Sequence, residues 1–353
     1  MLILGAGIAG NTLAFLLKEL PYKVAQLERL EQIKPIKFGE SLPPTAIAML
    51  RRLSIEPIIK ANPLHYKILG YQSAWGTPRV KDYLFRGYPV NYGWKIDKKA
   101  LVNDLEKANT SVDRLLLQQK DRIEIRPQGI DIVSSDNRVK SLKCRIIIDA
   151  TGRNRVLARQ LGITTIHHDH LISYTYNLPI ISSVPFQGAT LTEAFKNGWG
   201  LLSKLDSEQI AFSLFSIKNQ AIPSPQKSPD FWKENLSSTH FLKHYYSTKI
   251  KASMKGKAAN SAMLASTSGE NWMAIGDAAM AFDPLCSHGI TTAIYTASLA
   301  KDFIIKKLVS NHSFLDYHQN LKLIFDGYLR QRKHFYQAEQ RWKDAPFWAI
   351  NQV

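Results

Sequence analysis

Residues 2–29, LILGAGIAGNTLAFLLKELPYKVAQLER, decide the fold. Leu2–Leu4 is an apolar triplet suited to a short buried strand, and it runs straight into Gly5-Ala6-Gly7-Ile8-Ala9-Gly10. The apolar stretch Asn11–Leu20 predicts a helix that stops at Pro21, because a proline ring cannot continue one. Tyr22–Leu27 predicts a second strand, and Glu28-Arg29 closes it. Glu28 follows Gly10 by 18 positions (28 − 10), near the ~20 at which an acidic residue meets a ribose. Each part has a physical task. Gly5 allows a tight turn, Gly7 lets backbone approach a pyrophosphate, Gly10 lets helix and strand pack closely, and Glu28 accepts hydrogen bonds from ribose hydroxyls. A lone GxGxxG is a weak signal. Strand, glycines, helix, strand and acid in this order predict an adenine dinucleotide, with FAD or NAD favoured over NADP.

A matching signal lies near the other end, in Met273–Ile294, MAIGDAAMAFDPLCSHGITTAI. An apolar strand ends at Ile275, Gly276-Asp277 forms its tip, Asp283-Pro284-Leu285 makes a loop, and Gly289 opens an apolar helix from Ile290 onward. Free N–H groups and the dipole at such a helix start attract negative charge. Asp277 suits a polyol or ribityl chain, whose hydroxyls it can accept. An ordinary strand–loop–helix would look the same in isolation; the Gly5–Glu28 pattern makes the pair informative.

Between these ends, Phe38-Gly39-Glu40-Ser41-Leu42-Pro43-Pro44 predicts a rigid turn followed by a helix over Thr45–Leu53. Residues 61–96 carry Tyr71, Trp75, Tyr83, Tyr88, Tyr92 and Trp94 and read as strands with tight turns. Such aromatics cover a sheet face or line a site for an aromatic guest. Asp97 caps a predicted helix, Lys98–Ala108. Strands follow at Arg122–Arg126, Gly129–Ser134, Val139–Lys143 and Cys144–Ile148, the last closed by Asp149-Ala-Thr-Gly152. Arg153, Arg155 and Arg159 then either neutralise phosphate or form a solvated helix face. Residues 165–218 alternate like antiparallel sheet, with turns at Lys196–Gly198 and Asp206–Glu208. Ile222–Pro229 is a Pro/Ser-rich linker, and Phe314–Trp342 reads as one long helix. His167, His168 and His170 read as surface or packing residues.

The chain has 353 residues, enough for one large or two interwoven domains; 45% hydrophobic and 21% charged residues suit a globular fold with a sizeable core. Lys and Arg exceed Asp and Glu by 46 to 29, a net charge of +17 that reads either as solubility with loose affinity for polyanions or, more sharply, as an acidic partner or substrate. Basic residues are dispersed, with small clusters at Lys249–Lys257 and Arg330–Lys333, and no nucleic-acid motif is present. Cys144 and Cys286 lack disulfide or metal-type spacing, which suits a reducing cytoplasm. The apolar start lacks a basic leader and a cleavage site. No apolar run approaches the ~20 residues of a membrane helix.

Taken together, GAGIAG with Glu28-Arg29, GESLPP at 39–44, DATGRNR at 149–155 and GDAAMAFDPLCSHGI at 276–290 resemble the flavin-dependent monooxygenase and halogenase superfamily, whose FAD fold is that of p-hydroxybenzoate hydroxylase. With QRWKDAPFW at 340–348, the chain looks most like the flavoprotein maturases of cysteine tryptophylquinone amino-acid oxidases of the lysine-oxidase or glycine-oxidase type. The resemblance implies an α/β protein. It would have a Rossmann-type FAD-binding domain (1–60, 97–160 and 262–310), an interleaved antiparallel-sheet substrate domain (61–96 and 161–261) and a C-terminal helical segment (311–353).

It also implies FAD held by Gly5, Gly7, Ile8, Ala9, Gly10, Glu28, Arg29, Ser41, Asp277, Pro284, Gly289 and Ile290, with Glu40 and His288 as candidates for proton transfer and no metal. The implied reaction hydroxylates a tryptophan of a quinoprotein oxidase precursor through a flavin C4a-hydroperoxide. It consumes O2 and takes electrons from NAD(P)H or a separate reductase. A small-molecule hydroxylase or halogenase and a flavin-bearing chaperone are the rival readings. Two departures from the family are visible. An Arg-x-x-Phe-Asp pattern is replaced by Lys98-Lys-Ala-Leu101-Val102. The halogenase Gly-Trp-x-Trp-x-Ile-Pro keeps only its first two residues in Gly198–Lys204, GWGLLSK.

Overall fold

In the computed structural model, residues 1–30, 36–109, 111–184, 188–217, 222–246 and 256–352 are described. The basic cluster Lys249–Lys257 therefore lies largely outside them. Five parallel strands form the nucleotide-type sheet, in the order Trp272–Ala274, Ile147–Asp149, Leu2–Leu4, Ala25–Arg29 and Asp113–Leu117. Leu2 is opposite both Ile147 and Ala25, and Ile147–Asp149 pairs on its other side with Trp272–Ala274, so one strand separates the two distant stretches in the sheet. Leu2–Leu4, in the middle of the sheet, is buried at all three residues, which is why it is a continuous apolar triplet rather than an alternating strand.

The first helix spans Ile8–Leu17, not Asn11–Leu20: the glycine loop itself supplies its first turn, and Lys18–Leu20 form a turn before Pro21. Nearly every residue of this helix is buried, because Gly289–Ser310 packs on its other side. Leu13 and Ile294 are fully buried, each worth roughly 1.5–3 kcal/mol relative to exposure. The second strand likewise begins three residues later than the alternation suggested, at Ala25, and runs through Arg29. The Cys144–Ile148 strand is confined to Ile147–Asp149. Glu40–Leu42 is a strand and not a turn, paired with Gly93–Ile96, which also pairs with Tyr66–Ile68. The helix expected over Thr45–Leu53 starts as a 3-10 turn at Pro44–Ala46 and becomes α-helical over Ile47–Arg52.

A seven-stranded sheet runs Gly256–Ala258, Leu171–Pro179, Gln209–Ile217, Gly198–Lys204, Thr190–Phe195, Gly70–Ala74 and Lys81–Leu84. Its neighbours are antiparallel except Thr190–Phe195 and Gly70–Ala74, which are parallel. A separate core packs Trp199, Phe212, Trp232, Tyr336, Phe347 and Trp348 against this sheet. The long C-terminal helix spans Leu315–Gln337 and bridges the two cores, with Phe325 in one and Tyr336 in the other. It ends before Trp342, and Pro346–Asn351 forms a last short helix.

Candidate functional site

The tips of the Leu2–Leu4, Ala25–Arg29 and Ile147–Asp149 strands and the starts of the helices Ile8–Leu17 and Gly289–Ser310 surround a cleft of about 460 Å³. Gly5, Gly7, Ile8, Ala9, Glu28, Arg29, Glu40, Asp277, Gly289 and Ile290 all line it. Gly10 does not. A Cβ there would sit 2.0 Å from Gly5 O, so its role is to let the helix lie against the strand. Gly5 has φ +102, and a Cβ would meet Ala150 O at 2.5 Å. Gly7, Gly152 and Gly289 are different: nothing lies within 4 Å of their virtual Cβ atoms, and all three border the cleft.

Both helices start without a side-chain cap, at Gly7 and at His288. Their first-turn N–H groups therefore present partial positive charge to the cleft from two directions. The two stretches are in contact: Gly276 has φ +59, its virtual Cβ would meet Ala9 Cβ at 3.0 Å, and its N–H donates to Thr296 Oγ1 at 2.8 Å. The Glu28 carboxylate accepts hydrogen bonds from Ala6 N–H and, at 2.7 Å, from Arg29 N–H, which fixes it at the cleft. The Arg29 guanidinium donates to the carbonyls of Gln118, Gln119 and Asp121, so the loop after Asp113–Leu117 is tied to this strand. Asp277 is 3.6 Å from Arg153 Nε.

The DATGRNR stretch is built from within. Asp149 is fully buried and accepts from Thr151 N–H (3.0 Å), Leu157 N–H (2.9 Å) and Ala158 N–H (3.3 Å). The solvated-face reading fails for the first two. Arg153 donates to Asn260 O and Phe282 O, and Arg155, in the left-handed region at φ 48, donates to Ala278 O, while Arg159 is exposed. They clamp the two halves of the site together. Thr151, Gly152 and Asn154 line the cleft.

Glu40 reaches the cleft from the edge of the small sheet. Its neighbour Ser41 turns the other way, and there the Lys95 ammonium, 2% exposed, donates to Gly39 O (2.5 Å), Ser41 Oγ (3.2 Å) and Thr190 Oγ1 (3.1 Å), and also to Ser203 Oγ. Burial pushes the Lys95 amine down to about 7, against the nearby charge of Glu40. Sequence reasoning missed Lys95; the only available signal was a lysine where strand alternation demands an inward residue. It noted Lys98 only as a departure from Arg, yet Lys98 lines the cleft and keeps a cation there.

His288 and Pro284 stand outside the lining. His288 Nδ1 is bonded to Cys286 O. Pro284 is exposed, next to Asp283, whose buried carboxylate accepts from Tyr336 OH (2.7 Å), Arg332 Nε (3.1 Å) and Leu285 N–H (2.9 Å). Arg332 also lies 3.4 Å from Asp169. This network pins the loop that precedes Gly289 to the C-terminal helix.

A match to the tryptophan halogenase family over residues 78–353 settles the relationship. The chain belongs to the tryptophan halogenase family. It is also similar to the putative FAD-dependent oxidoreductase LodB of Marinomonas mediterranea, at 23% identity over 98% of this chain and 95% of that protein. Among solved structures, the peptidyl tryptophan dihydroxylase QhpG, described as essential for tryptophylquinone cofactor biogenesis, shares the fold with TM-score 0.76 and 21% identity over 99% of this chain and 78% of that one. The flavin-dependent halogenase CmlS does so with TM-score 0.77 and 18% identity over 100% and 67%. The tryptophan halogenase fold and a flavin-dependent oxidoreductase activity follow, with FAD as cofactor.

The residues present fit that cofactor: the open space at Gly7, Gly152 and Gly289, two uncapped helix starts and a fixed Glu28 carboxylate lie along one cleft. Among the described residues, no helix is long and apolar enough to cross a membrane.

Proposed function

We propose that this protein hydroxylates a tryptophan side chain in the precursor of a quinoprotein amino-acid oxidase, during formation of cysteine tryptophylquinone. The observation that carries this over halogenation is the stretch Gly198–Lys204. Trp199, the one tryptophan kept from the halogenase pattern, is 1% exposed, stacks on Phe215 at 3.8 Å and donates to Tyr336 OH at 3.1 Å. It is a core residue of the long sheet and does not line the cleft. Likeness over nearly the whole chain to a peptidyl tryptophan dihydroxylase supports the same reading.

In this reading Gly5, Gly7, Ile8 and Ala9 hold the FAD pyrophosphate, Glu28 the adenosine ribose and Asp277 the ribityl chain. The amides of Gly289 and Ile290, at a helix start on the cleft, would favour the reduced, anionic form of the flavin. Bound FAD, once reduced, activates O2 and supplies an electrophilic oxygen atom. The chain's own residues orient the indole and exclude water. Glu40, which reaches the cleft while His288 does not, takes the proton lost from the indole ring through its carboxylate. Lys95 and Ser203 both hold Gly39 O and so fix the strand carrying Glu40. Electrons arrive from NAD(P)H or a separate reductase.

Incubating the FAD-loaded protein, reductant and O2 with a quinoprotein oxidase precursor, and in parallel with free indoles and halide, tests the reading. Oxygen added to a precursor tryptophan, slowed by Glu40→Gln with FAD still bound, is expected. Halogenated indole with no change in the precursor would transfer the chain to the halogenases.

A further inference from the structure

The seven-stranded sheet ends on an open edge. Lys81–Leu84 is its last strand, and among the described residues no other strand pairs with its outer side. Phe85 N–H donates to Leu69 O at 2.8 Å, and Tyr71 and Ser73 stand opposite Tyr83 and Lys81. In an antiparallel ladder, the residues between such pairs turn their N–H and C=O groups away. Asp82 and Leu84 therefore present unpaired main-chain groups to solvent.

All four residues of the strand are exposed, Tyr83 at 41% and Leu84 at 50%, and Tyr83 stacks on Tyr71 at 5.2 Å to make an outward aromatic face. An open edge is a pairing hazard that proteins ordinarily cover or blunt with charged side chains. Here it is retained and flanked by exposed Arg79, Lys81 and Arg86, none of which has an ion-pair partner among the described residues. The one acid, Asp82, is tied to Gln72 at 2.8 Å. A hollow lined by Arg79, Val80, Val184, Phe241, His240 and His244 among others adjoins the strand's start.

The edge is also coupled to the cleft. Gly70–Ala74 separates it from Thr190–Phe195, whose Thr190 shares Lys95 with the Gly39–Ser41 segment beside Glu40. Two strand spacings, roughly 10 Å, separate the edge from Thr190–Phe195.

We propose that Lys81–Leu84 is the docking strand for the protein substrate, pairing with an extended acidic segment of the oxidase precursor as an added antiparallel or parallel strand. This rests on the protein-substrate reading above. Main-chain hydrogen bonds to Asp82 and Leu84 supply affinity, and the surrounding cations select acidic side chains and speed encounter. The net charge of +17 acts in the same direction at longer range.

The test uses the FAD-loaded full chain and two synthetic peptides, one alternating Glu and Val around a central Trp, the other with Lys in place of Glu. Binding is read by anisotropy of the labelled peptide and by hydrogen exchange at the Asp82 and Leu84 amides. The acidic peptide is expected to bind and protect both amides, and the basic one to bind at least about tenfold more weakly. Leu84→Pro removes an outward N–H without breaking a ladder bond, which an edge strand tolerates; with FAD uptake retained, it should weaken binding at least about tenfold. The Lys81→Glu/Arg86→Glu pair should do likewise. Absence of binding by the acidic peptide, binding without protection of those amides, or unchanged affinity in Leu84→Pro overturns the docking strand. Edge-dependent binding with no oxygen added to the peptide or to the precursor supports the docking strand and removes the hydroxylase reading.

Discussion

Replacing Lys95 by Met tests the buried amine that braces the Glu40 strand. The ammonium is 2% exposed, no carboxylate contacts it, and burial pushes its pKa from 10.5 down to about 7. The folded state therefore binds this proton less tightly than the unfolded chain. Below pH 7 both states carry it, and the cost of burying the charge is fully present. Between pH 7 and 10.5 the folded amine is neutral while the unfolded one stays charged, so stability from this group rises with pH by about 1.4 kcal/mol per unit. Across 3.5 units (10.5 − 7) that is at most about 5 kcal/mol. Gly39 O, Ser41 Oγ, Thr190 Oγ1 and Ser203 Oγ all surround the ammonium and offset part of the cost. A gain of about 3 kcal/mol is the working expectation. Met keeps the volume, and Ser203 still donates to Gly39 O at 2.5 Å. Urea unfolding of wild type and Lys95→Met at pH 6 to 10.5 isolates the term: the difference should move in favour of wild type as pH rises above 7. Parallel stability curves would refute the assignment of a depressed pKa to Lys95.

Two other perturbations follow from buried groups. Arg332→Met leaves the Asp283 and Asp169 carboxylates buried without their cation, and should lower stability by about 3–5 kcal/mol; a loss below about 1 kcal/mol by urea unfolding would mean the network is solvated. Burial pushes the Cys286 thiol up to about 12 and raises that of Cys144, so a thiol reagent at pH 8 should react slowly with the native chain and rapidly with both cysteines once it is unfolded. Fast stoichiometric labelling of the native protein would contradict the placement of Cys286.

How much was legible in the sequence depended on whether the signal was local. The Gly5–Glu28 order and the Gly276–Ile290 stretch report backbone constraints that neighbouring residues impose; their strands share one sheet with Ile147–Asp149 between them, and Gly276 packs against Ala9. Asp97 as a cap was equally local and accepts from Ala100 N–H at 3.0 Å. Element ends were less legible: in the Ile8–Leu17 helix, tertiary burial on both sides obscures where the periodicity begins. Most opaque were partners distant in sequence. Arg153 and Arg155 look like phosphate ligands or surface residues, but they bond carbonyls over 100 positions away. Lys95 owes its character to Thr190 and Ser203 on another sheet, which no local pattern announces.

The most direct measurement is a titration of the deflavinated chain with FAD, run for wild type, Gly7→Leu and Gly289→Leu. Each glycine borders the cleft with open space where a side chain would project, and neither has a backbone angle that requires glycine. Both variants should fold normally, and each leucine projects into the cleft from a different helix start. Uptake of one FAD per chain by wild type, with loss of uptake in both variants, is the predicted result. A wild-type chain that takes up no FAD, or undiminished uptake in both variants, would contradict the convergence of the two stretches on a single cofactor.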